Sequence, residues 1–568
     1  MNQKLSLSLL FLLFSLFLWG NEPVMVWVEF KDKQHSPYSL THPHEFLSSR
    51  AIERRQKQNI PFDHFDLPVS PFYVESLAVD TTITVFYTSR WLNGALLKIS
   101  SNDFLQNLDE FDFILSWQDV KPVITSPEKN EKFDSNGSQQ HQWSVSIHEK
   151  AIDKFPFSII HNYSGYPEYG SSENQISLVN GQVLHGLGYK GEGKIIAVFD
   201  SGFRAADTLE AFSYLWNSNK IMGFRDFVEP GSDIFDTHTH GTYVLSVMGG
   251  YLPGDLSGSA LGASYWLLRT EDVSSEFRIE EYNWLAGAEY ADSVGADIIN
   301  SSLGYTRFDN PIQDYFYDDL DGQTTIVAKA ANKAFNKGLL VVNSAGNYGS
   351  QTWMYVGSPA DAHGVLAVGG TNSEGIRVAF SSFGPTADGR VKPDIMAQAQ
   401  GVAVANMMGS VGQANGTSFS SPLIAGMAAC LWQKYPAANN EEIRNAIIRS
   451  ADRYLLPDTI YGYGIPDFAK AIDILDGKFE GTRLAYLLSN PLLPNSAVRF
   501  YAEEYEEFIS IDLINSNGQK IWTITDLNVL YGINEVRPFA NINTLSSGIY
   551  IIRINFKNRS ENIKAIKL

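Results

Sequence analysis

Residues 195–202 read IIAVFDSG, an apolar run that ends in an acidic residue and a glycine. Such an uninterrupted run is typical of a strand that is buried on both faces of a sheet. Two more runs of this kind lie at 297–303 and 339–343, and between them an amphipathic helical pattern over 326–335 ends at Gly338, as at a left-handed cap. The alternation predicts an α/β fold of three layers, a mostly parallel sheet between helices, with the chemistry at the carboxyl ends of the strands.

The region before this pattern has a different character. Between residues 22 and 125, strand-like stretches at 82–87 and 95–99 accompany a helical stretch at 48–58, which predicts a separate α+β domain. Residues 126–142 are polar, lack apolar periodicity and are typical of a linker.

Three arginines stand out in the predicted N-terminal helix. Arg50, Arg54 and Arg55 lie within one short stretch. Long cationic side chains on a helix are usually solvated, so the simplest interpretation is an exposed helix face.

The region from about residue 490 is typical of an all-β domain. Apolar and polar residues alternate at 508–513, and further strand-like stretches lie at 521–525 and 549–556. Ser516-Asn517-Gly518 is a strong hairpin turn. The pattern predicts a small β-sandwich.

Composition and charge limit the possible classes of function. The 568 residues are 44% hydrophobic and 19% charged, which is a globular composition. The 43 Lys and Arg residues against 63 Asp and Glu residues give a formal net charge of −20, which argues against a nucleic-acid partner. Cys430 is the single cysteine, so no internal disulfide can form.

The N-terminus predicts export. Lys4 precedes an apolar run at 5–19, and Gly20 and Asn21 follow it, which is typical of a secretory signal peptide over residues 1–20. The alternative is a membrane anchor, but a run of about 15 residues is shorter than the roughly 20 that span a bilayer. No later segment looks transmembrane, so we expect a soluble exported protein.

Four residues in four small-residue motifs carry candidate chemistry. Asp200 ends the first buried strand, His240 begins a helical pattern, Asn347 follows the third buried strand, and Ser418 leads into a helix that contains Pro422. Pro422 predicts that this helix starts just before it, because proline is best tolerated in a first turn. Taken singly, the four also fit a turn aspartate, an ordinary histidine, a turn asparagine and a capping serine with competing serine neighbours.

Taken together and in this order, the motifs resemble those of the subtilisin-like serine proteases. The resemblance covers about residues 175–475 and rests on DSG at 200–202, HGT at 240–242, SAGN at 344–347 and GTS at 416–418 with Pro422. It implies that Ser418 attacks the peptide carbonyl, that His240 moves the proton and that Asp200 orients His240. Asn347 and the Ser418 backbone N–H would hold the oxyanion.

The same resemblance implies six substrate-binding positions: Ser302, Leu303, Gly304, Ala345, Gly346 and Gly357. The first three would form the strand that pairs with an extended peptide. The next two would form the opposite wall of the first specificity pocket, and the last would lie at its base. Walls of small residues leave room, so we expect a preference for aromatic or long aliphatic side chains.

An acidic segment at 305–325 departs from the short loop of simple subtilisins. Its five aspartates are Asp309, Asp314, Asp318, Asp319 and Asp321. Several oxygens in one loop suit calcium, but the spacing of an EF-hand is absent, and an acidic surface loop explains the same sequence. We expect no required cofactor, with a structural calcium ion as an open alternative.

The flanking domains complete the expected organisation. In this family an N-terminal domain of this size is a propeptide, although a permanent accessory domain fits the sequence too. The C-terminal region resembles the sorting domain of type IX secretion substrates in NP at 490–491, NG at 517–518, LSSGIY at 545–550 and KAIKL at 564–568. The alternative there is a generic β-sandwich for stability or carbohydrate binding.

The predicted domains are a signal peptide at 1–20, a propeptide-like domain with linker at 21–142, a peptidase domain at 143–478 and a sorting domain at 485–568. The resemblance implies a serine endopeptidase that is made as a zymogen, acts on polypeptides and reaches the cell surface or medium through the periplasm and the type IX machinery. One alternative is an inactive subtilisin fold that serves in binding or adhesion. Another is an esterase, which would need a Gly-x-Ser-x-Gly elbow and a different order of residues.

Overall fold

The computed structural model describes residues 23–100, 102–122 and 169–476 and, with short gaps, parts of 485–567. The predicted signal peptide and linker lie outside the described residues. The chain divides into two compact units, of which the first holds the N-terminal and α/β domains together and the second holds the C-terminal region.

The α-helices of the described residues are α1 (Ser49–Lys57), α2 (Pro71–Ala78), α3 (Glu173–Ser177), α4 (Gln182–Gly186), α5 (Ser213–Asn217), α6 (His240–Gly249), α7 (Ile279–Val294), α8 (Ile326–Asn336), α9 (Thr417–Lys434), α10 (Asn440–Ser450) and α11 (Phe468–Leu475). The strands are β1 (Val24–Phe30), β2 (Ile83–Ser89), β3 (Gly94–Ile99), β4 (Ile114–Pro122), β5 (Ile195–Asp200), β6 (Ile221–Asp226), β7 (Tyr251–Leu252), β8 (Leu256–Ser257), β9 (Ser264–Arg269), β10 (Ile298–Ser301), β11 (Leu340–Ser344), β12 (Val365–Thr371), β13 (Ile395–Gln398), β14 (Val402–Ala405), β15 (Val411–Ala414), β16 (Ala485–Leu487), β17 (Val498–Ala502), β18 (Ser510–Asn515), β19 (Lys520–Ile524), β20 (Gly532–Val536), β21 (Gly548–Asn555) and β22 (Ser560–Lys567).

A seven-stranded sheet forms the centre of the α/β domain. Its order is β13-β12-β11-β10-β5-β9-β6, and every pairing in it is parallel. Ser301 pairs with Phe199 on one side and with Asn343 on the other, so β5, β10 and β11 end at the same edge of the sheet. The three strands predicted from continuous apolar runs are confirmed, and so is the α/β fold with its parallel sheet.

Two helices follow from clear sequence features. Helix α8 presents Val327, Ala330 and Ala334 to the core, and Gly338 follows it with a φ of +90°, as a left-handed cap requires. Helix α9 is buried from its first residue through Trp432 and packs against β10, β11, β12 and β13. A helix buried on all sides is apolar all round, so α9 lacks the amphipathic pattern of a surface helix.

The N-terminal domain is an antiparallel sheet of order β2-β3-β1-β4 with α1 and α2, as predicted. One face of the sheet forms the core of this domain. The other face shares a single hydrophobic cluster with α7 and α8, to which Met25, Trp27, Trp91, Leu96 and Val120 contribute. The two domains therefore have a common core.

An aromatic stack and a group of hydrogen bonds fix the register of this interface. The Trp27 ring stacks on Tyr282 of α7, with the ring centroids 4.4 Å apart. The Glu289 carboxylate on the same helix accepts hydrogen bonds from the backbone N–H groups of Arg90 and Trp91 and from the Ser89 hydroxyl. The chain between β2 and β3 is thereby held against α7.

The arginines of α1 are not on a solvated face, and that prediction is wrong for two of the three. Arg54 and Arg55 are 5% and 0% exposed, and both bind the Asp292 carboxylate on α7. Arg90 binds the same carboxylate, with Nη2 2.7 Å from Oδ2. Burial alone would raise the pKa of Asp292, but the three guanidinium groups lower it to about 2. Only Arg50 keeps a half-exposed side chain, beside Asp297.

The C-terminal unit is a β-sandwich, as predicted. Its two antiparallel sheets have the orders β16-β17-β20 and β19-β18-β21-β22 and share one hydrophobic cluster. The side chain of Asn515 accepts hydrogen bonds from the N–H groups of Asn517 and Gln519, and Gly518 has a φ of +80°, which forms the predicted turn. Within the described residues, no helix combines the length and the apolar character needed to cross a membrane.

Asp292→Asn should loosen the N-terminal domain, because three buried guanidinium groups would lose the carboxylate that they share. Among the described residues, Arg54 has no second carboxylate partner, whereas Arg55 keeps Asp66 and Arg90 keeps Glu289. Breaking a buried pair of this kind costs about 3–5 kcal/mol. The measurement is hydrogen exchange of the α1 and β1–β4 amides, in a Ser418→Ala chain so that the expected peptidase activity cannot degrade the sample. Asp63→Asn is the matched control, and its effect should stay below about 1 kcal/mol, because the Asp63 side chain is half-exposed and its partner Lys337 keeps Asp66. Equal effects of the two substitutions would contradict this account.

Acid should produce the same loosening in the chain that keeps Asp292. The folded-state pKa of this carboxyl lies near 2, below its ordinary value of 3.8, so the stability that it supplies is complete above about pH 4. That contribution, about 2 kcal/mol, is lost as the pH falls from 4 to 2. The difference in amide protection between this chain and Asp292→Asn should narrow by about 2 kcal/mol over that window, and a difference that stays unchanged between pH 4 and pH 2 would refute the assignment.

Candidate active site

Asp200 and His240 are hydrogen-bonded at the carboxyl edge of the sheet, and Ser418 lies near them. Asp200 is the last residue of β5, is fully buried, and places Oδ1 2.8 Å from Nδ1 of His240, the first residue of α6. The His240 ring lies 5.9 Å from the ring of Phe419, the residue after Ser418. Ser418 is the second residue of α9 and is 7% exposed. A carboxylate on Nδ1 holds the imidazole in one tautomer and leaves Nε2 for proton exchange.

Glycines allow the close approach of the two segments that carry Asp200 and His240. A Cβ at Gly241 would lie 2.3 Å from the Gly202 carbonyl oxygen and 2.8 Å from Cβ of Asp200. A Cβ at Gly202 would lie 2.1 Å from Oγ1 of Thr237. The motif glycines are thus needed for backbone packing behind the imidazole.

Pro422 lies inside α9 and not in its first turn, which corrects the expected helix start. The helix begins at Thr417, so the missing amide of Pro422 is the one that would bond to the Ser418 carbonyl four residues earlier. The Ser302 hydroxyl takes its place and donates to that carbonyl over 2.9 Å. The proline therefore ties Ser418 to the segment that follows β10.

Asn347 is oriented by the residue before Ser418. Its Oδ1 accepts hydrogen bonds from the backbone N–H and the hydroxyl of Thr417, at 2.9 and 3.0 Å. Its Nδ2 lies beside Gly416, within 3.5 Å of where a Cβ would stand. The amide hydrogens are therefore directed to the space next to the start of α9, where backbone N–H groups are unsatisfied by the helix.

The six predicted substrate-binding residues lie on three segments that the structure brings together. The Asn343 side chain donates to the Leu303 carbonyl, and the Gly357 N–H donates to the Ala345 carbonyl. The predicted positions at 302–304 and 345–346 thus face each other, with Gly357 between them. The sequence analysis missed Tyr348, whose hydroxyl donates to the Gly304 carbonyl over 3.2 Å.

The five aspartates of the acidic segment do not gather around one point. In the described residues, no three of them bring ligand oxygens within 4.8 Å of one another. Asp309, Asp314, Asp319 and Asp321 instead accept hydrogen bonds from backbone N–H groups of the surrounding chain. These contacts explain the acidic residues as local turn and loop supports.

A different group of carboxylates lies close together at the start of α7. Oxygens of Glu271, Glu276 and Glu280 fall within 4.8 Å of one another. Glu271 also accepts a hydrogen bond from the Tyr305 hydroxyl.

Comparison with known families covers both domains of the first unit. Residues 191–464 match the subtilase family of peptidases, and residues 25–136 match a peptidase S8 propeptide domain of Bacteroidota. The four candidate catalytic residues lie inside the first match. The three arginines that bind Asp292 lie inside the second.

Individual relatives agree with these matches. Subtilisin NAT of Bacillus subtilis subsp. natto is 27% identical over 63% of this chain and 89% of the relative. Subtilisin DY of Bacillus licheniformis is 30% identical over 51% of this chain and 93% of the relative. A thermostable alkaline protease of Halalkalibacterium halodurans is 30% identical over 52% of this chain and 72% of the relative. The chain therefore belongs to the subtilase family, as a serine endopeptidase that carries its own propeptide domain.

Proposed function

We propose that this protein hydrolyses peptide bonds through Asp200, His240 and Ser418, with an acyl-enzyme intermediate and with Asn347 in the oxyanion hole. The observation that carries the proposal is the 2.8 Å contact between His240 Nδ1 and the buried Asp200 carboxylate, beside the start of α9. An Asp–His pair of this kind next to a serine is the arrangement that serine proteases use on unrelated folds.

Each residue has a defined chemical role in the proposed reaction. The Ser418 hydroxyl attacks the peptide carbonyl while His240 Nε2 takes its proton, and Asp200 stabilises the imidazolium that forms. Asn347 Nδ2 and the Ser418 N–H donate to the oxyanion of the tetrahedral intermediate, and the dipole of α9 favours the same charge. His240 then protonates the leaving amine, and a water molecule releases the acyl group by the reverse sequence of steps.

The N-terminal domain acts as a folding aid and temporary inhibitor in this proposal. It shares a hydrophobic cluster with α7 and α8, the helices that cover one face of the catalytic sheet. A domain with its own antiparallel sheet and a common core can template those helices during folding. Activation then requires cleavage in the segment after β4, which lies outside the described residues.

The C-terminal β-sandwich serves as a type IX sorting signal, and the mature protease acts outside the cell. The support is the set of short motifs at 490–491, 517–518, 545–550 and 564–568.

A chain that ends before residue 485 should keep its activity but remain within the cell envelope of the producing bacterium. Release of that truncated chain into the medium at the full-length rate would contradict the sorting role.

Ser418→Ala should abolish peptide hydrolysis and the covalent adduct with a serine-protease inhibitor. The neighbouring hydroxyls serve structure, since Ser420 donates to the Thr417 carbonyl and Ser421 to Asn300. Ser420→Ala is therefore the matched control and should keep its adduct and most of its activity. Mass spectrometry of inhibited protein locates the adduct, and casein digestion measures activity. An adduct on another serine, or turnover by Ser418→Ala, would exclude the proposed nucleophile.

Asn347→Ala should lower kcat by about 10²–10³ with little change in KM, because the lost donor acts on the transition state; this magnitude is known from subtilisin itself. Thr417→Val is the control. It removes the hydroxyl contacts with Asn347 and with the Gly346 N–H but keeps the Nδ2 donor, so kcat should fall less than about tenfold. Steady-state kinetics on a chromogenic peptide measures both. A loss confined to KM would assign Asn347 to ground-state binding.

A further inference from the structure

A crevice opens beside the proposed nucleophile, between the segments that follow β10 and β11. Ser302 ties the first segment to the Ser418 carbonyl, and Asn347 ties the second to Thr417. At the far end, Tyr305 and Ser358 pair through their backbones. When the carbonyl of a substrate residue lies at Ser418, the side chain of that residue lies next to this crevice.

The ring of Tyr348 already lies in the crevice. Its hydroxyl donates to the carbonyl of Gly304, on the first wall. A Cβ at Gly346, on the second wall, would lie 3.1 Å from Cε2 of Tyr348. A Cβ at Gly357, at the base, would lie 3.3 Å from the same ring atom. The ring therefore contacts the first wall and leaves too little room for a Cβ on the second wall or at the base.

The contacts also explain why the surrounding residues are glycines. A Cβ at 346 or 357 would crowd the tyrosine ring at less than ordinary contact distance, and at 346 the Ser382 hydroxyl at 2.9 Å and a φ of +107° also favour glycine. The space that small residues leave in the walls is thus filled by the protein's own aromatic side chain. The expectation of a large apolar substrate residue assumed that this space was empty.

Several interactions hold the ring in place. The Tyr348 N–H donates to the Ser382 hydroxyl over 3.0 Å, which fixes the backbone, and the hydroxyl on Gly304 fixes the far end of the ring. The residue is half-buried, so swinging the ring out would break the hydrogen bond and expose apolar surface. A bulky substrate residue would have to supply that free energy.

We propose that Tyr348 is a specificity-determining residue that restricts the peptidase to small residues, such as alanine or glycine, at the acyl side of the cleaved bond. The inference rests on the proposed function of Ser418. It goes beyond that function because it assigns the substrate class to the position of one aromatic side chain beside the nucleophile.

The test compares the full-length protein, after its own processing, with Tyr348→Ala and Tyr348→Phe. Two peptides that differ only in alanine or phenylalanine before the cleaved bond serve as substrates, and cleavage sites are confirmed by mass spectrometry. Active sites are counted by the inhibitor adduct on Ser418, so that kcat/KM refers to correctly folded enzyme.

We expect the unsubstituted enzyme to prefer the alanine peptide by at least about tenfold. Tyr348→Ala should raise kcat/KM for the phenylalanine peptide by about 10- to 100-fold while changing the value for the alanine peptide less than about tenfold. Tyr348→Phe keeps the ring and should keep the preference for alanine, so it separates ring volume from the hydrogen bond.

Two results would overturn the inference while leaving the proposed function intact. The first is that the unsubstituted enzyme forms a normal Ser418 adduct but cleaves the phenylalanine peptide as fast as the alanine peptide. This result does not depend on the folding of any variant. The other is an unchanged phenylalanine rate in Tyr348→Ala. Absence of both cleavage and adduct in the unsubstituted enzyme would instead overturn the proposed function, and this inference with it.

Discussion

The parallel alignment of β5, β10 and β11 is the constraint on which the rest of the site depends. Because Ser301 pairs with both Phe199 and Asn343, the three strands end side by side at the same edge of the sheet. Asp200 follows directly at the end of β5, and the walls of the crevice follow β10 and β11. A residue inserted in any of these strands would displace one part of the site from the others.

Helix α9 completes the site because its start is fixed from outside the helix. Its interior is buried against the sheet, which sets its direction, but burial alone does not set where the first turn lies. Pro422 removes one intrahelical hydrogen bond, and Ser302 then binds the Ser418 carbonyl. The helix start is thereby joined to β10, and Asn347 joins Thr417 to β11 in the same way.

The sequence predicted the features that depend on local pattern. Continuous apolar runs predicted the buried strands, and Gly338 predicted the end of a helix. The four motifs predicted that Asp200 and His240 lie next to each other. The burial of Arg55 could not be predicted, because its partner Asp292 lies 237 residues further along the chain. Local composition favours solvated arginines on a helix, and only the tertiary contact reverses that preference.

Tyr348 escaped prediction for a related reason. Its position directly after the candidate oxyanion residue suggested no role, since a tyrosine on a loop is ordinary. The Gly304 carbonyl that it binds lies 44 residues earlier, and the glycines at 346 and 357 look like room for substrate until the ring is placed between them. Small residues in a sequence therefore indicate that something packs closely against them, but they do not identify which side chain occupies the space.

The interface between the propeptide domain and the catalytic domain combines two kinds of interaction with different consequences. The shared hydrophobic cluster favours association in proportion to buried area and is insensitive to pH. The cluster around Asp292 contributes less net stability, since four groups lose their hydration, but it penalises any arrangement that leaves one of them unpaired. If the N-terminal domain dissociates completely after cleavage, all these charged groups become hydrated together. Partial separation would instead leave some of them buried without a partner. The charge cluster therefore favours retention or complete release of the domain over any intermediate state.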